Sequence, residues 1–274
     1  MKNYDVIFIG GSLMASSTAY SLLNMKPDLK ILMIEKDPTY KYAATPLALG
    51  GVRQQFSERT NIRMAKASID TFENFGELME TKTFGKPDID LRQGGYLFLL
   101  GEAGWNVAKE NAQVQKEEGV DIRLLSVSDI EAMLPETDLT GIVGGTICPR
   151  EGVLDPASVL TGYLHKVKEM GVEIKCGVEV GKDVTIASLR EQGYEAFYIS
   201  IGCQDSRALN IPGEDAEGVM SAVALLHTTT ENESYAINGR SVVIGGGNVA
   251  IDVARTNTRC GASEVSMFCL ESRD

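Results

Sequence analysis

Hydrophobic and polar positions change period several times along the chain, and each change marks an element. Asp5 to Gly10 is a continuous apolar run ending in glycine, which predicts a strand. A helical pattern from Leu13 to Leu23 and a second apolar run, Lys30 to Ile34, complete a β-α-β order. From Thr39 to Ser57 the period breaks into a glycine-containing segment that predicts a loop close to a ligand. Helical spacing returns from about Thr60 to Glu80. Asp88 to Leu100 predicts strands around a Gly-Gly turn, and Gly104 to Glu118 an exposed helix stopped by Gly119.

Capping residues sharpen the next stretch. Ser128 and Glu131 stand at capping-box spacing and predict a short helix ending before Pro135. Asp155 and Pro156 supply an N-cap and a proline for the first helical position, and Val159, Leu160, Tyr163, Leu164 and Val167 form one apolar face up to Gly171. His165 lies beside that stripe and is expected at the surface. Val172 to Ile174, Glu179-Val180 and Ala196 to Ile201 predict strands, and Ile211-Pro212-Gly213 a turn. His227 to Asn238 is poorly patterned. A second β-α-β then begins: Ser241 to Ile244, a helix from Asn248 to about Arg259, and Glu264 to Leu270. The one internal similarity is between the two βαβ units.

Composition narrows the function classes. Of 274 residues, 38 are acidic and 26 basic, and the net charge of -12 repels phosphate backbones and anionic membranes, so nucleic acid is set aside as a partner. No apolar run approaches the roughly 20 residues of a membrane span, and the N-terminus lacks a secretory pattern. Five cysteines without a C-x-x-C pair signal neither a redox dithiol nor a metal site, and predict reduced thiols in a cytoplasmic protein.

Chemistry concentrates in two glycine-rich turns. In a dinucleotide fold the first glycine permits a tight turn, the second lets backbone approach the pyrophosphate, and the third lets helix and strand pack closely, with the helix N-terminus facing the phosphates. The first turn is Gly10, Gly11, Ser12, Leu13, Met14, Ala15, so Ser12 and Ala15 replace the second and third glycines. Glu35, followed by Lys36, ends the second strand where an acid would bond the adenosine ribose. The second turn runs Gly245, Gly246, Gly247, Asn248, Val249, Ala250 and keeps both phosphate-side glycines. Its acid is Glu271, which favours NAD over NADP, with Arg273 partly compensating for a 2′-phosphate. The alternative at the first place is an ordinary glycine turn, and at the second a βαβ unit that keeps the pattern without binding a nucleotide.

Two resemblances follow from longer motifs. YDVIFIGGSLMASSTAYSL, IEKDPTY, AATPLALGGVRQQFS, RQGGYLFL and EGVLDPASVLTGYLHKVKEMGVEI resemble the FAD-dependent D-amino-acid oxidase, sarcosine oxidase and glycine oxidase superfamily over residues 1 to about 174. From about residue 172 to the end, GVEIKCGVEVGKDVT, YISIGCQDSRALNIPGEDAEGV and SVVIGGGNVAIDVARTNTRCGASEV are similar to the glutamate synthase small subunit and related pyridine-nucleotide oxidoreductases. The chain looks like a chimera of the two. The resemblance implies that Gly10, Gly11, Ser12 and Ala15 face an FAD pyrophosphate and that Glu35 holds its ribose. It implies that Ala44, Thr45, Gly51, Val52, Arg53 and Gln54 line the flavin, that Val180 meets the adenine, and that Gly202 passes near FAD. It also implies that Arg53 binds a carboxylate or stabilises reduced flavin, with a solvated loop arginine as the alternative. No catalytic base is named.

The expected fold is α/β: a Rossmann-like FAD-binding domain from residues 1-82 and 146-230, an inserted α+β substrate-type segment at 83-145, and a truncated βαβ unit for a nicotinamide nucleotide at 235-274. Three functions stay open: an FAD-dependent amine or amino-acid oxidase or dehydrogenase, an NAD(P)H-dependent flavin oxidoreductase using NAD(H) or NADP(H), and a non-catalytic FAD-binding scaffold. The expected partners are a small amine or amino acid, or a nicotinamide nucleotide, and a homo-oligomer is compatible with each.

Overall fold

The computed structural model describes residues 4–203 and 205–270. The chain divides into two compact units between Gly202 and Cys203.

In the first unit, β1 (Val6–Ile9), α1 (Leu13–Met25) and β2 (Ile31–Glu35) form the first βαβ unit. The short β3 (Gly51–Val52), α2 (Arg59–Glu73) and the single turn α3 (Phe75–Leu78) follow. Next come β4 (Arg92–Gln93), β5 (Tyr96–Leu100), α4 (Glu102–Glu117), β6 (Arg123–Leu125), α5 (Val127–Met133), β7 (Gly144–Cys148) and β8 (Gly152–Val153). The chain then passes through α6 (Pro156–Glu169), β9 (Glu173–Cys176), α7 (Ile186–Glu191) and β10 (Ala196–Ile199).

The principal sheet has the order β10-β1-β2-β9 and is parallel throughout. A parallel sheet must be covered on both faces, and the continuous apolar runs of β1 and β2 supply side chains to both. Phe8, Ile31 and Met33 point to the face where Ala15, Ala19 and Leu23 of α1 meet Val167 of α6. Ile7, Ile9, Leu32 and Ile34 point to the other, over Leu189 of α7. Each fully buried side chain of this size contributes about 1.5–3 kcal/mol of burial. Beside this sheet lie two three-stranded antiparallel sheets, β5-β7-β6 and β3-β8-β4.

The second unit contains α8 (Ala222–Glu231), β11 (Arg240–Ile244), α9 (Asn248–Arg259) and β12 (Glu264–Phe268). Its two strands pair in parallel, and Leu225, Val243 and Val253 form its core. On the opposite sheet face Val242, Ile244 and Phe268 are 62%, 63% and 63% exposed, because one helical layer covers one side of a sheet only. Among the described residues no helix is long and apolar enough to cross a membrane.

Several expectations change. Ser126, not Ser128, caps α5: its hydroxyl accepts the Asp129 N–H while the Asp129 carboxylate accepts the Ser126 N–H. The two strands flanking Gly94-Gly95 do not pair with each other; β4 joins β8 and β5 joins β7, so the glycines carry the chain between two sheets. The helix expected from Thr60 to Glu80 breaks at Asn74, whose side chain donates to the Asp70 carbonyl. Glu179-Val180 forms only an isolated bridge to Val184. The poorly patterned segment begins inside α8, which packs on α9, so residues 203–230, read from sequence with the FAD-binding part, lie in the second unit.

Candidate functional site

In an open parallel sheet a ligand binds outside the carboxyl ends of the strands, where the strand order reverses. Here that point lies between β1 and β10, and the residues just beyond them are Gly10 and Ser200. The Ser200 N–H donates to the Ile9 carbonyl, and its hydroxyl reaches the carbonyls of Ile9 and Gly10 at 3.2 and 3.1 Å. Gly10 has φ +92°, and a Cβ there would lie 2.4 Å from the Ser200 carbonyl oxygen. Only glycine satisfies both conditions.

From that turn α1 opens without a side-chain cap and with no acid in its first turn. The Ser12 hydroxyl is buried and has no hydrogen-bond partner among the described residues. An uncapped helix end beside an unsatisfied hydroxyl fits an anionic group such as a pyrophosphate. Across the turn, Glu35 Oε2 accepts the Gly11 N–H at 2.7 Å and Oε1 accepts the Asp37 N–H at 3.0 Å. Asp37 in turn holds Thr39, whose hydroxyl and N–H keep its carboxyl below the usual range. Lys36 is exposed, and Ala15 is buried against the sheet, in the close-packing role of a third glycine. The phenol of Tyr40 approaches the same turn: a Cβ at Gly11 would lie 3.1 Å from Tyr40 Oη. Tyr40 has φ 56°, a conformation that its sequence does not announce.

A cleft of about 900 Å³ opens next to the start of α1, lined by Leu13, Ala44, Thr45, Gly51, Val52 and Arg53 among others. Gln54, expected to line it, is instead 1% exposed, turned inward with its Oε1 toward the Cys148 thiol. Arg53 is exposed. Its guanidinium carbon stands 5.8, 5.7 and 5.8 Å from the ring centroids of Phe56, Tyr96 and Phe98, and among the described residues no carboxylate pairs with it. Three ring faces orient the cation without neutralising it.

Behind Arg53 sits Glu151, fully buried, whose carboxylate takes the N–H groups of Gln54 and Gln55 and the Gln55 side-chain amide. Burial pushes its carboxyl above the usual range, opposed by those hydrogen bonds and by the Arg53 charge. Nothing in the sequence separates the buried Glu151 from its half-buried, ion-paired neighbour Arg150; only the fold reveals it. Val180 packs against the cluster of Ile7, Ile9, Leu32, Ile34 and Leu189 on one face of the parallel sheet. Gly202, exposed with φ +82°, ends the first unit.

In the second unit Gly245 has φ +133°, its N–H donates to the Phe268 carbonyl, and Gly247 is the N-cap of α9, which lacks a side-chain cap. Asn248, Val249 and Ala250 form the first turn of that helix, with Val249 exposed and Ala250 packed on the core. Glu271 and Arg273 lie outside the described residues.

The chain matches the DAO family, described as FAD dependent oxidoreductase, over residues 5–200. It is 35% identical over 180 residues to FAD-dependent oxidoreductase domain-containing protein 1 of Xenopus laevis, a match covering 64% of this chain and 36% of that protein. A shorter match, 48% identical over 84 residues, is to mitochondrial NADPH:adrenodoxin oxidoreductase of Homo sapiens and covers 28% of this chain and 17% of that protein. Among solved structures, L-proline dehydrogenase from P. horikoshii is similar with a TM-score of 0.57 at 25% identity, over 65% of this chain and 45% of that one. The chain therefore spans well under half the length of the curated relatives it matches. With the family match extending over most of its residues, the chain belongs to the DAO family of FAD dependent oxidoreductases.

Proposed function

We propose that this chain binds FAD along the Gly10 turn and the Ala44 to Arg53 cleft, in the oxidation of a small amino acid or secondary amine. Gly10, Gly11, Ser12 and the start of α1 would hold the pyrophosphate, and Glu35 the adenosine ribose through lone pairs not used by Gly11 and Asp37. Ala44, Thr45, Gly51 and Val52 would line the flavin. FAD, when bound, supplies a two-electron acceptor for oxidation of a C–N bond. The observation that carries the substrate side is Arg53, an exposed cation with no carboxylate in ion-pair contact among the described residues, set against three aromatic faces at the edge of the cleft. Its fork of donors suits a carboxylate, which would orient the substrate. The similarity to an L-proline dehydrogenase agrees with a small amino-acid substrate. On this reading residues 1-82 and 146-202 serve FAD and 83-145 the substrate.

A second reading rests on the uncapped α9 beside Gly245 and on the match to an NADPH:adrenodoxin oxidoreductase. Here Gly245, Gly247 and Asn248 would hold a nicotinamide nucleotide, in a chimera that joins two flavoprotein families near β9. Anaerobic addition of L-proline, glycine, sarcosine or a D-amino acid, and separately of NADH or NADPH, to the FAD-loaded protein decides. Bleaching of the flavin by an amino acid supports the first reading. Bleaching by a nicotinamide nucleotide alone supports the second.

A further inference from the structure

Glu151 connects both walls of the Arg53 site. Its Oε1 accepts the N–H groups of Gln54, through a very short contact, and of Gln55 at 2.9 Å; its Oε2 accepts the Gln55 side-chain amide at 2.6 Å. That amide also donates to the Tyr96 carbonyl at 2.8 Å, and its oxygen accepts the Thr146 hydroxyl at 2.6 Å. The Glu151 carbonyl accepts the Gly95 N–H at 2.9 Å. One buried side chain and its backbone thus tie the segment that carries Arg53 and Phe56 to the strand that carries Tyr96 and Phe98. Three N–H donors aimed at two oxygens fix the orientation of the carboxylate and, through it, the segment that supplies two of them.

We propose that Glu151 is the positioning residue of the Arg53 site: without touching a ligand, it holds the guanidinium over the three rings at the angle from which it captures the carboxylate of a small acid. The proposal rests on the reading of Arg53 as an anion-binding arm. An isosteric amide at position 151 keeps an acceptor for the two backbone N–H groups only by placing a donor against the Gln55 amide, so the link from the 53–56 segment through Gln55 to Tyr96 is broken while the net volume stays the same.

The test uses the FAD-loaded protein at saturating FAD, with acetate as the probe and the perturbation of the flavin visible spectrum as the readout. Arg53→Ala raises the acetate Kd at least tenfold. Glu151→Gln, with circular dichroism unchanged, raises it by a comparable factor, and the double variant binds no more weakly than Arg53→Ala alone, because both changes remove one interaction. A merely structural role would make the two effects multiply, and that result overturns the proposal, as does an unchanged Kd in folded Glu151→Gln. Should Glu151→Gln not fold, Gln55→Met removes the link between Glu151 and Tyr96 and raises the Kd about threefold; an unchanged value overturns the proposal. If Arg53→Ala does not alter the acetate response of the wild-type protein, the reading of Arg53 fails, and the proposal with it.

Discussion

Glu35 and Gly11 are joined by a hydrogen bond of 2.7 Å from the Gly11 N–H to the Glu35 carboxylate, 24 residues apart in the chain. The acid at the end of β2 and the turn after β1 therefore act as one cradle. Removing the carboxylate frees a backbone donor and abolishes the expected contact to the ribose. A charge-assisted hydrogen bond is worth about 1.5–3 kcal/mol. Glu35→Ala is expected to raise the Kd for FAD at least tenfold, with Glu35→Gln in between, as read from the quenching of flavin fluorescence. An FAD affinity independent of residue 35 contradicts the assignment.

Gly10 faces Ser200 so closely that even a methyl group would displace the end of β10. Gly10→Val is expected to prevent FAD binding and to lower the thermal midpoint of the protein. Ser12→Gly removes a buried hydroxyl that has no partner among the described residues and is expected to leave FAD affinity unchanged or to tighten it. Circular dichroism and equilibrium dialysis of the two variants check this pair. A folded Gly10→Val that retains stoichiometric FAD removes the N-terminal turn from the site.

The sequence made the first βαβ unit legible because its signals are local: an apolar run, a glycine turn and an acid at the end of the next strand. The same holds for α6, where Asp155 and Pro156 mark the start of the helix that the structure shows. What stayed hidden depends on contacts between distant residues. Gln54 and Arg53 are adjacent, yet one is buried and the other exposed, because Glu151, 97 residues from Gln54, claims the backbone between them. The pairing of β4 with β8 rather than β5 is likewise a long-range choice that the Gly-Gly spacing does not encode. α8 is not legible from sequence because its mixed threonine and apolar run lacks a clean helical stripe.

The Asp155 cap gives a pH-dependent test. Its carboxylate accepts the N–H groups of Ala157 and Ser158 and the Ser158 hydroxyl, and the hydroxyl bond above all holds the carboxyl below its ordinary range. A depressed folded-state value means that the stabilisation is present above the unfolded-state value and is lost as pH falls through the folded-state one. Asp155→Ala is expected to cost about 1 kcal/mol at neutral pH, and denaturant titrations of variant and wild type should converge in acid. A difference that grows on acidification would contradict this reading of the cap.

The central claim is that the first unit is a site for FAD, and the direct measurement is chromatography of the cofactor released by heat denaturation, after reconstitution and removal of unbound flavin. The expected result is a yellow protein with a flavin spectrum that releases FAD, not FMN, in a one-to-one ratio, because the Gly10 turn and Glu35 address the pyrophosphate and the adenosine. A folded protein that stays colourless in excess FAD, or that retains FMN in its place, would contradict it.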